Sequence, residues 1–225
     1  IEQISSQYFG HLNEYLNSFV GGGIMFLWIN QQGTSPETAA LLSNQNFRQA
    51  LNYGFDRSAT VNAVNPGYKA YNRLVDSNFA GPDGGKFVDE YPVETVPLSG
   101  DVDKAKEYLA AAMEELGYSD VSQLPQLELI TWDTSEQKLL LETIIDQWKQ
   151  NLGLENIQLT QYVIGTAIGS FYDLSYDLFA ITWETDVLPT DIMEAMVTGG
   201  EVNYGIWSDA QFDSLVEQAI NQLEP

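Results

Sequence analysis

Apolar residues recur along this chain in two rhythms, one of three to four residues and one of two, and the alternation between them outlines the elements. "GGGIMFLWIN" is a short apolar run bounded by glycine and Asn30, which predicts a buried strand. "PETAALLSNQNFRQALNYGFDRSATVNAV" predicts two helical stretches, the second starting after Asn44 with Phe47, Ala50, Leu51 and Phe55 on one face. Asn65 to Gly100 carries Pro66, Pro82, Pro92, Pro97 and a central "GPDGG", which predicts a long irregular excursion. Such excursions are usually functional.

Beyond it, Asp101 or Asp103 is placed to cap "DKAKEYLAAAMEELGY", whose stripe is Ala105, Tyr108, Leu109, Ala112 and Leu116 and whose stop is Gly117. "LPQLELITW" alternates Leu127, Leu129 and Thr131 against Glu128 and Ile130, so a strand precedes the helix "SEQKLLLETIIDQWKQNLG", closed by Gly153. "ENIQLTQYV" and "YDLFAITW" predict two more strands. "PTDIMEAMV" predicts a short helix with Pro189 in its first turn, and the glycine loop "TGGEVNYGIW" follows. The last helix opens with Ser208 and Gln211 in capping-box spacing and points Phe212, Leu215, Val216 and Ala219 inward. Strands separated by helices of this length mean an α/β fold, a mixed sheet flanked by helices.

Composition narrows the function. The 225 residues, 44% hydrophobic, suffice for a sizeable core, and no run is long enough for a membrane span or built like a signal peptide. Thirty-two acids against nine Lys and Arg give a net charge of -23, which excludes a nucleic-acid partner, because such binding depends on basic neutralisation of phosphates. That charge attracts cationic ligands, although solubility is the commoner reason for it. With no cysteine and His11 as the single histidine, thiolate and multi-histidine metal sites are excluded; no metal and no cofactor is expected. The chain starts at Ile1 without Met and ends at Pro225 straight after a helical pattern, which suggests a piece of something longer.

The candidate chemistry centres on "FAITWETDVLPTD". Glu184 and Asp186, at i and i+2, are placed on one side of a strand end, the arrangement a paired-carboxylate hydrolase uses. Strand-edge acids are ordinary in so acidic a chain, and no nucleophilic group accompanies them. "DTSEQ" and "DVDKAKE" lack the ligand spacing of a calcium loop. Trp148, Trp132 and Tyr162 read as core aromatics before they read as a ligand platform, and Trp28 more so. Arg48, Asp56 and Arg57 read as a polar network that maintains the fold.

Several stretches, in order, resemble the peptide-binding and nickel-binding family of ABC-transporter extracytoplasmic solute-binding proteins. "NQNFRQALNYGFDRSATVNAV" is similar to its R-x-A-x-x-x-x-x-D-R helix through Arg48, Ala50, Asp56 and Arg57, and "GDVDKAKEYLAAA" to its D-P-x-K-A-K-x-L-L helix, with Val102 at the proline. "IIDQWKQNLGLENIQLT" resembles a helix-to-strand unit. "YDLFAITWETDVLPTDIM" resembles Y-D-x-x-x-x-x-W-x-A-D-Y-x-D-P, with Val187 and Leu188 departing from it, and "NYGIWSDAQFDSLVEQA" resembles the stretch that follows.

The resemblance implies an α/β lobe of a two-lobe periplasmic-binding-protein-like fold. Residues 1–43 are then a hinge-proximal flanking segment and 44–225 the second lobe, the first lobe being absent. It implies a binding module rather than an enzyme, capturing oligopeptides in an interlobe cleft for import. Its expected partners are the peptide, an ABC permease in the membrane and the missing first lobe. Its expected location is the extracellular face of the membrane, on a lipid-anchored parent, or the periplasm. Asp186 is the family's partner for the peptide's α-amino group and Trp183 the apolar wall beside it; Asn203 and Trp207 fall where the family approaches the cleft. The rival readings are a dipeptide, oligosaccharide or nickel-chelate receptor, a hydrolase using Glu184 and Asp186, and a protein-interaction domain.

Overall fold

A computed structural model of the chain describes residues 23–65, 67–74, 79–81, 83–184, 193–194 and 196–223. Four strands, β1 (Gly23–Ile29), β2 (Leu127–Trp132), β3 (Ile157–Tyr162) and β4 (Leu178–Glu184), form one sheet in the order β1-β4-β2-β3. β2 pairs parallel with β3 and β4, and β1 closes the far side antiparallel to β4. Parallel neighbours need crossover connections. Here these are α6 (Ser135–Leu152) between β2 and β3, and α7 (Ile164–Tyr172) between β3 and β4. The fold is thus the mixed α/β sheet that the alternating patterns predict.

Before β2 come α1 (Pro36–Ser43), α2 (Gln45–Tyr53), α3 (Arg57–Val64), the single turn α4 (Phe87–Glu90) and α5 (Val102–Leu116); α8 (Ala210–Leu223) closes the chain. Between Pro36 and Val64 there are three helices rather than two. The break at Asn44 is the expected one, its extended backbone ending α1 while its Oδ1 accepts the Phe47 N–H at 2.9 Å and starts α2, and the additional break falls between Tyr53 and Arg57. Asp56 does the same for α3, accepting the Ala59 N–H at 2.8 Å. Phe55 therefore lies beyond α2, with its ring edge-on to Trp148 at 5.9 Å. β1 and α1, expected as flanking sequence, share the sheet and the core with residues from 44 onward.

Period-two alternation sends the strand residues into two cores. Leu127, Leu129, Leu178 and Ala180 face α2, α5 and α6, where Phe47, Leu51, Ala105, Leu109 and Trp148 are buried. Ile130, Phe179, Ile181 and Trp28 face the other way, against Ala167 and Phe171 of α7 and against Tyr176. The pattern of β2 places Ile130 on the polar side with Glu128, yet Ile130 is 1% exposed. α7 covers that side, so β2 is buried on both faces, as central parallel strands are.

α7 itself has no counterpart in the sequence reading. "IGTAIGSFY" carries two glycines and β-branched residues of weak helix propensity and has no side-chain cap at Val163; burial of Ala167 and Phe171 under the sheet supplies the stability instead. α8 is capped by Asp209 rather than Ser208, since Asp209 Oδ1 accepts the Gln211 and Phe212 N–H groups at 2.9 and 2.8 Å. Its buried stripe is narrower than predicted: Val216 is 4% exposed, but Leu215 is 56% exposed. The short helix expected at "PTDIMEAMV" lies mostly outside the described residues.

Arg48, Asp56 and Arg57 maintain the fold without forming a network among themselves. Arg48 Nη1 donates to the Leu42 carbonyl at 2.9 Å, and Arg57 Nη1 donates to the Asn52 carbonyl at 3.0 Å while its guanidinium lies 4.3 Å over the Phe55 ring. Burial lowers the Arg57 pKa to about 10. A guanidinium is so strong a base that it stays charged throughout the physiological range.

Two buried side chains bind the segments together. Asn30, 1% exposed at the exit of β1, donates from Nδ2 to the carbonyls of Leu174 and Tyr176 at 3.0 and 2.9 Å. Asp177, 2% exposed at the entry of β4, accepts on Oδ1 from the Thr34 N–H and hydroxyl, both at 2.9 Å, and on Oδ2 from the Glu128 N–H at 3.1 Å. One carboxylate thus ties β4 to the start of β2 and to the turn before α1.

The excursion from Asn65 to Gly100 is irregular apart from α4 and one antiparallel bridge between Ala80 and Lys86. It returns to the core at Gly100, whose φ is +70° and where a Cβ would stand 2.6 Å from the Phe55 carbonyl oxygen and 2.8 Å from that of Tyr53. Only glycine fits.

Asp177→Asn puts an amide N–H against backbone N–H donors and is expected to lower the stability measured by urea unfolding by about 2–4 kcal/mol, without changing the far-ultraviolet circular dichroism of the folded chain. Gly100→Ala combines positive φ with backbone overlap and is expected to cost about 2 kcal/mol or more in the same assay, whereas Gly117→Ala, at φ +77° with open space around it, is expected to cost about half as much.

Candidate functional site

In open α/β sheets ligands bind beyond the carboxyl ends of the parallel strands, where loops and helix starts converge on an open edge. In this sheet that edge is formed by Trp132 of β2, its register partner Tyr162 of β3, and the end of β4 at Trp183 and Glu184. It is well held. The Asp133 N–H donates to the Tyr162 carbonyl at 2.8 Å, and Gln161 Nε2 donates to the Thr134 carbonyl at 3.2 Å.

The surface there is apolar and acidic at once. Trp132 is half-buried, and the chain leaving β3 exposes Tyr162, Val163 and Ile164 at 36%, 70% and 65%. Three neighbouring apolar side chains this open need a physical reason, because such patches mark binding surfaces. Beside them Asp133 and Glu136 are solvent-exposed. Asn65 Nδ2, at the start of the excursion, donates to Glu136 Oε1 at 3.4 Å, and the Glu136 carboxylate, with burial, holds the Tyr68 pKa above its usual value. The start of the excursion is thereby fixed to the same edge. Among the described residues no group of three His, Cys, Asp or Glu side chains gathers as a metal site, and no helix is long and apolar enough to cross a membrane.

The predicted site residues fall in two places. Trp183 stands in β4 opposite Ile24, at the carboxyl edge, and Asp186 lies just beyond, outside the described residues. Asn203 and Trp207 lie at the other end of the β1–β4 pair, where the Gln31 N–H donates to the Gly205 carbonyl at 3.0 Å. The five residue steps along β4 from Leu178 to Trp183 separate the two places by about 17 Å. Asn203, 5% exposed, donates from Nδ2 to the carbonyls of Trp207 and Val197 at 2.8 and 3.1 Å and accepts the Trp207 N–H at 3.3 Å. Its carboxamide clamps a turn in which Ile206 sits at φ +49°, a strained position for a β-branched residue.

Next to that turn, the Tyr204 ring packs 4.3 Å from Phe171, and the Tyr204 carbonyl accepts the Tyr176 hydroxyl at 2.6 Å. Burial, helped by Tyr204, pushes the Tyr176 pKa well above its usual value. Trp207 meets Phe212 edge-on at 5.0 Å. Of the other aromatics, Trp148 is core, with its Nε1 donating to the Leu51 carbonyl at 2.8 Å, and Trp28 is 7% exposed. Trp132, read as core, packs half-buried against the core under α7 and also reaches the open edge, whereas Tyr162, read as core too, is exposed there. Val163 and Ile164 escaped notice. Their signal was an uncharged run from Asn156 to Tyr172 that stays apolar past the end of the strand.

A mixed α/β unit with an open, apolar and acidic carboxyl edge is an architecture on which ligand-binding lobes are built. The chain belongs to the bacterial extracellular solute-binding proteins, family 5; the family's "Middle" model matches residues 3–204. It is 27% identical to the oligopeptide-binding protein OppA of Bacillus subtilis over 186 residues, which are 81% of this chain and 33% of that protein. Its fold is similar to the substrate-binding domain of an oligopeptide ABC transporter from Bacillus anthracis, with a TM-score of 0.79 at 23% identity over 94% of this chain and 41% of the other. It is also similar to OppA of Listeria monocytogenes bound to peptide, with a TM-score of 0.78 at 22% identity over 88% of this chain and 38% of that one. The chain spans about a third of the length of the curated relatives it matches.

Asn203→Ala removes the clamp on the Ile206 turn and is expected to destabilise the chain by about 1–3 kcal/mol, with amide-exchange protection lost first at Tyr204 to Trp207.

Proposed function

We propose that this chain is one lobe of a receptor that captures oligopeptides outside the cytoplasmic membrane and delivers them to an ABC permease. The observation that carries the reading is the carboxyl edge of the sheet, where exposed Tyr162, Val163 and Ile164 stand beside exposed acids. Such a surface suits a molecule with an ammonium group and an apolar body. Family membership supports the reading, as do relatives named as oligopeptide- and dipeptide-binding proteins.

Asp186 is the proposed partner of the peptide's α-amino group. A carboxylate shielded from water by an aromatic neighbour forms charge-assisted hydrogen bonds to an ammonium without reading the side chain that follows. Trp183 is the proposed neighbour. Trp132, Tyr162, Val163 and Ile164 form the adjoining wall, and Asn203 and Trp207 support the lobe from the opposite end. The second half of the cleft belongs to another lobe of a longer parent, held at the outer face of the membrane by a lipid anchor or free in a periplasm. Closure of the two lobes over the peptide favours the state in which both contact it, which is the source of the differential affinity.

The test is calorimetric titration of the parent receptor with an oligopeptide and with its N-acetylated counterpart. The free peptide is expected to bind at least about tenfold more tightly, and Asp186→Asn to abolish that difference while leaving the acetylated peptide's affinity unchanged. Equal affinity for the two peptides would remove the amine-pairing role of Asp186.

A further inference from the structure

A groove of about 770 Å³ lies between α2 and the returning excursion, with Met193 also on its lining and none of Trp132, Tyr162, Val163 or Ile164 among the residues that form it. It is within the size range of small-molecule sites, and its lining combines aromatic rings with cations. Tyr53 forms one wall, and Phe87 and Tyr91, with ring centroids 5.0 Å apart, form another. Lys104 and Arg73 line the groove too, with Glu94 as the one acid among the described lining residues, which carry two positive charges against one negative. In a chain of 32 acids and nine Lys and Arg this local balance runs against the rest of the surface. The Lys104 ammonium is poised 4.7 Å over the Tyr53 ring, at the open end of its stem.

The walls are fixed by bonds that leave the groove open. Arg73 Nη1 donates to the Val88 carbonyl at 2.8 Å and Asn72 Nδ2 donates to Thr95 Oγ1 at 3.1 Å, joining the outgoing and returning arms of the excursion. The Asp101 N–H donates to the Tyr53 carbonyl at 2.9 Å, seating the return against the end of α2. Tyr91 is nonetheless 51% exposed and Val93 62% exposed. Apolar groups kept open between anchored arms, beside two cations, match a ligand with a flat apolar body and a negative end.

We propose that this groove is a second ligand site, taking a small aromatic carboxylate whose ring lies against Tyr53, Phe87 and Tyr91 and whose carboxylate meets Lys104 and Arg73. It is independent of the peptide site proposed at the carboxyl edge, since it uses neither that edge nor a ligand amine.

N-acetyl-L-tyrosine, which has a carboxylate and a ring but no ammonium, is the probe, and N-acetyl-L-tyrosinamide, which lacks the charge, is its control. Titration of this chain at low salt, followed by calorimetry and by amide chemical shifts, is expected to show saturable binding of the acid with shifts at Tyr53, Tyr91 and Lys104. Binding is expected to weaken at least about fivefold for the amide and in Lys104→Gln, a substitution at a half-buried position of α5 that keeps most of the side chain's stem, with unchanged far-ultraviolet circular dichroism checking that the fold is intact. Three outcomes would overturn the proposal: no saturation in the millimolar range, equal binding of acid and amide, or shifts confined to Trp132 and Tyr162.

Discussion

The paired burial of Asn30 and Asp177 is the constraint on which the rest of the lobe depends. Both sit where β1 leaves and β4 enters the sheet, and their polar atoms are satisfied by backbone groups and, for Asp177, by the Thr34 hydroxyl as well. A buried carboxylate is tolerable only when each oxygen is hydrogen-bonded, so Asp177 draws the Thr34 turn and the Glu128 backbone to itself. That fixes three things together: the antiparallel register of β1 on β4, the start of β2 beside β4, and the approach of α1 to the core. The neighbouring Tyr176 extends the arrangement to the Tyr204 turn through its hydroxyl.

With the strand entries fixed at one end, the strands' carboxyl ends are free to diverge at the other. Both faces of the sheet are covered, one by α2, α5 and α6, the other by α7, so ligand access is left to the edge. There Trp132 and Tyr162 end their strands in register, and the chain turns through Val163 and Ile164 without burying them. The net charge, ambiguous as a bulk number, acquires a local meaning at this edge because exposed acids stand next to exposed apolar groups. The opposite local balance, cations beside aromatic rings, occurs in the groove under the excursion.

Much of this was legible in the linear pattern. The strands β1 to β4, the long helices α5 and α6, and the stops at Gly117 and Gly153 follow from periodicity and from the left-handed backbone that only glycine adopts cheaply, and both glycines have positive φ. The motif order carried the family. α7 was not legible, because its helicity comes from burial of Ala167 and Phe171 against the second face and not from its own residues. Ile130 was assigned to the wrong environment for the same reason: alternation tells which residues share a face, but not whether a helix covers that face.

The candidate site divides along the same line. Sequence by itself determined that Trp183 and Asp186 end a strand and that Asn203 and Trp207 lie in a turn, since these are local properties of spacing and turn chemistry. Only the tertiary structure decided that Trp183 and the Asn203 turn stand at opposite ends of β4, that the Asn203 carboxamide is engaged within its own turn, and that Trp132 and Tyr162 meet at an open edge. The physical reason is that neighbourhood across a sheet is set by strand order and register. Those depend on long-range hydrogen bonds such as Asp177 to Glu128, which no single segment encodes.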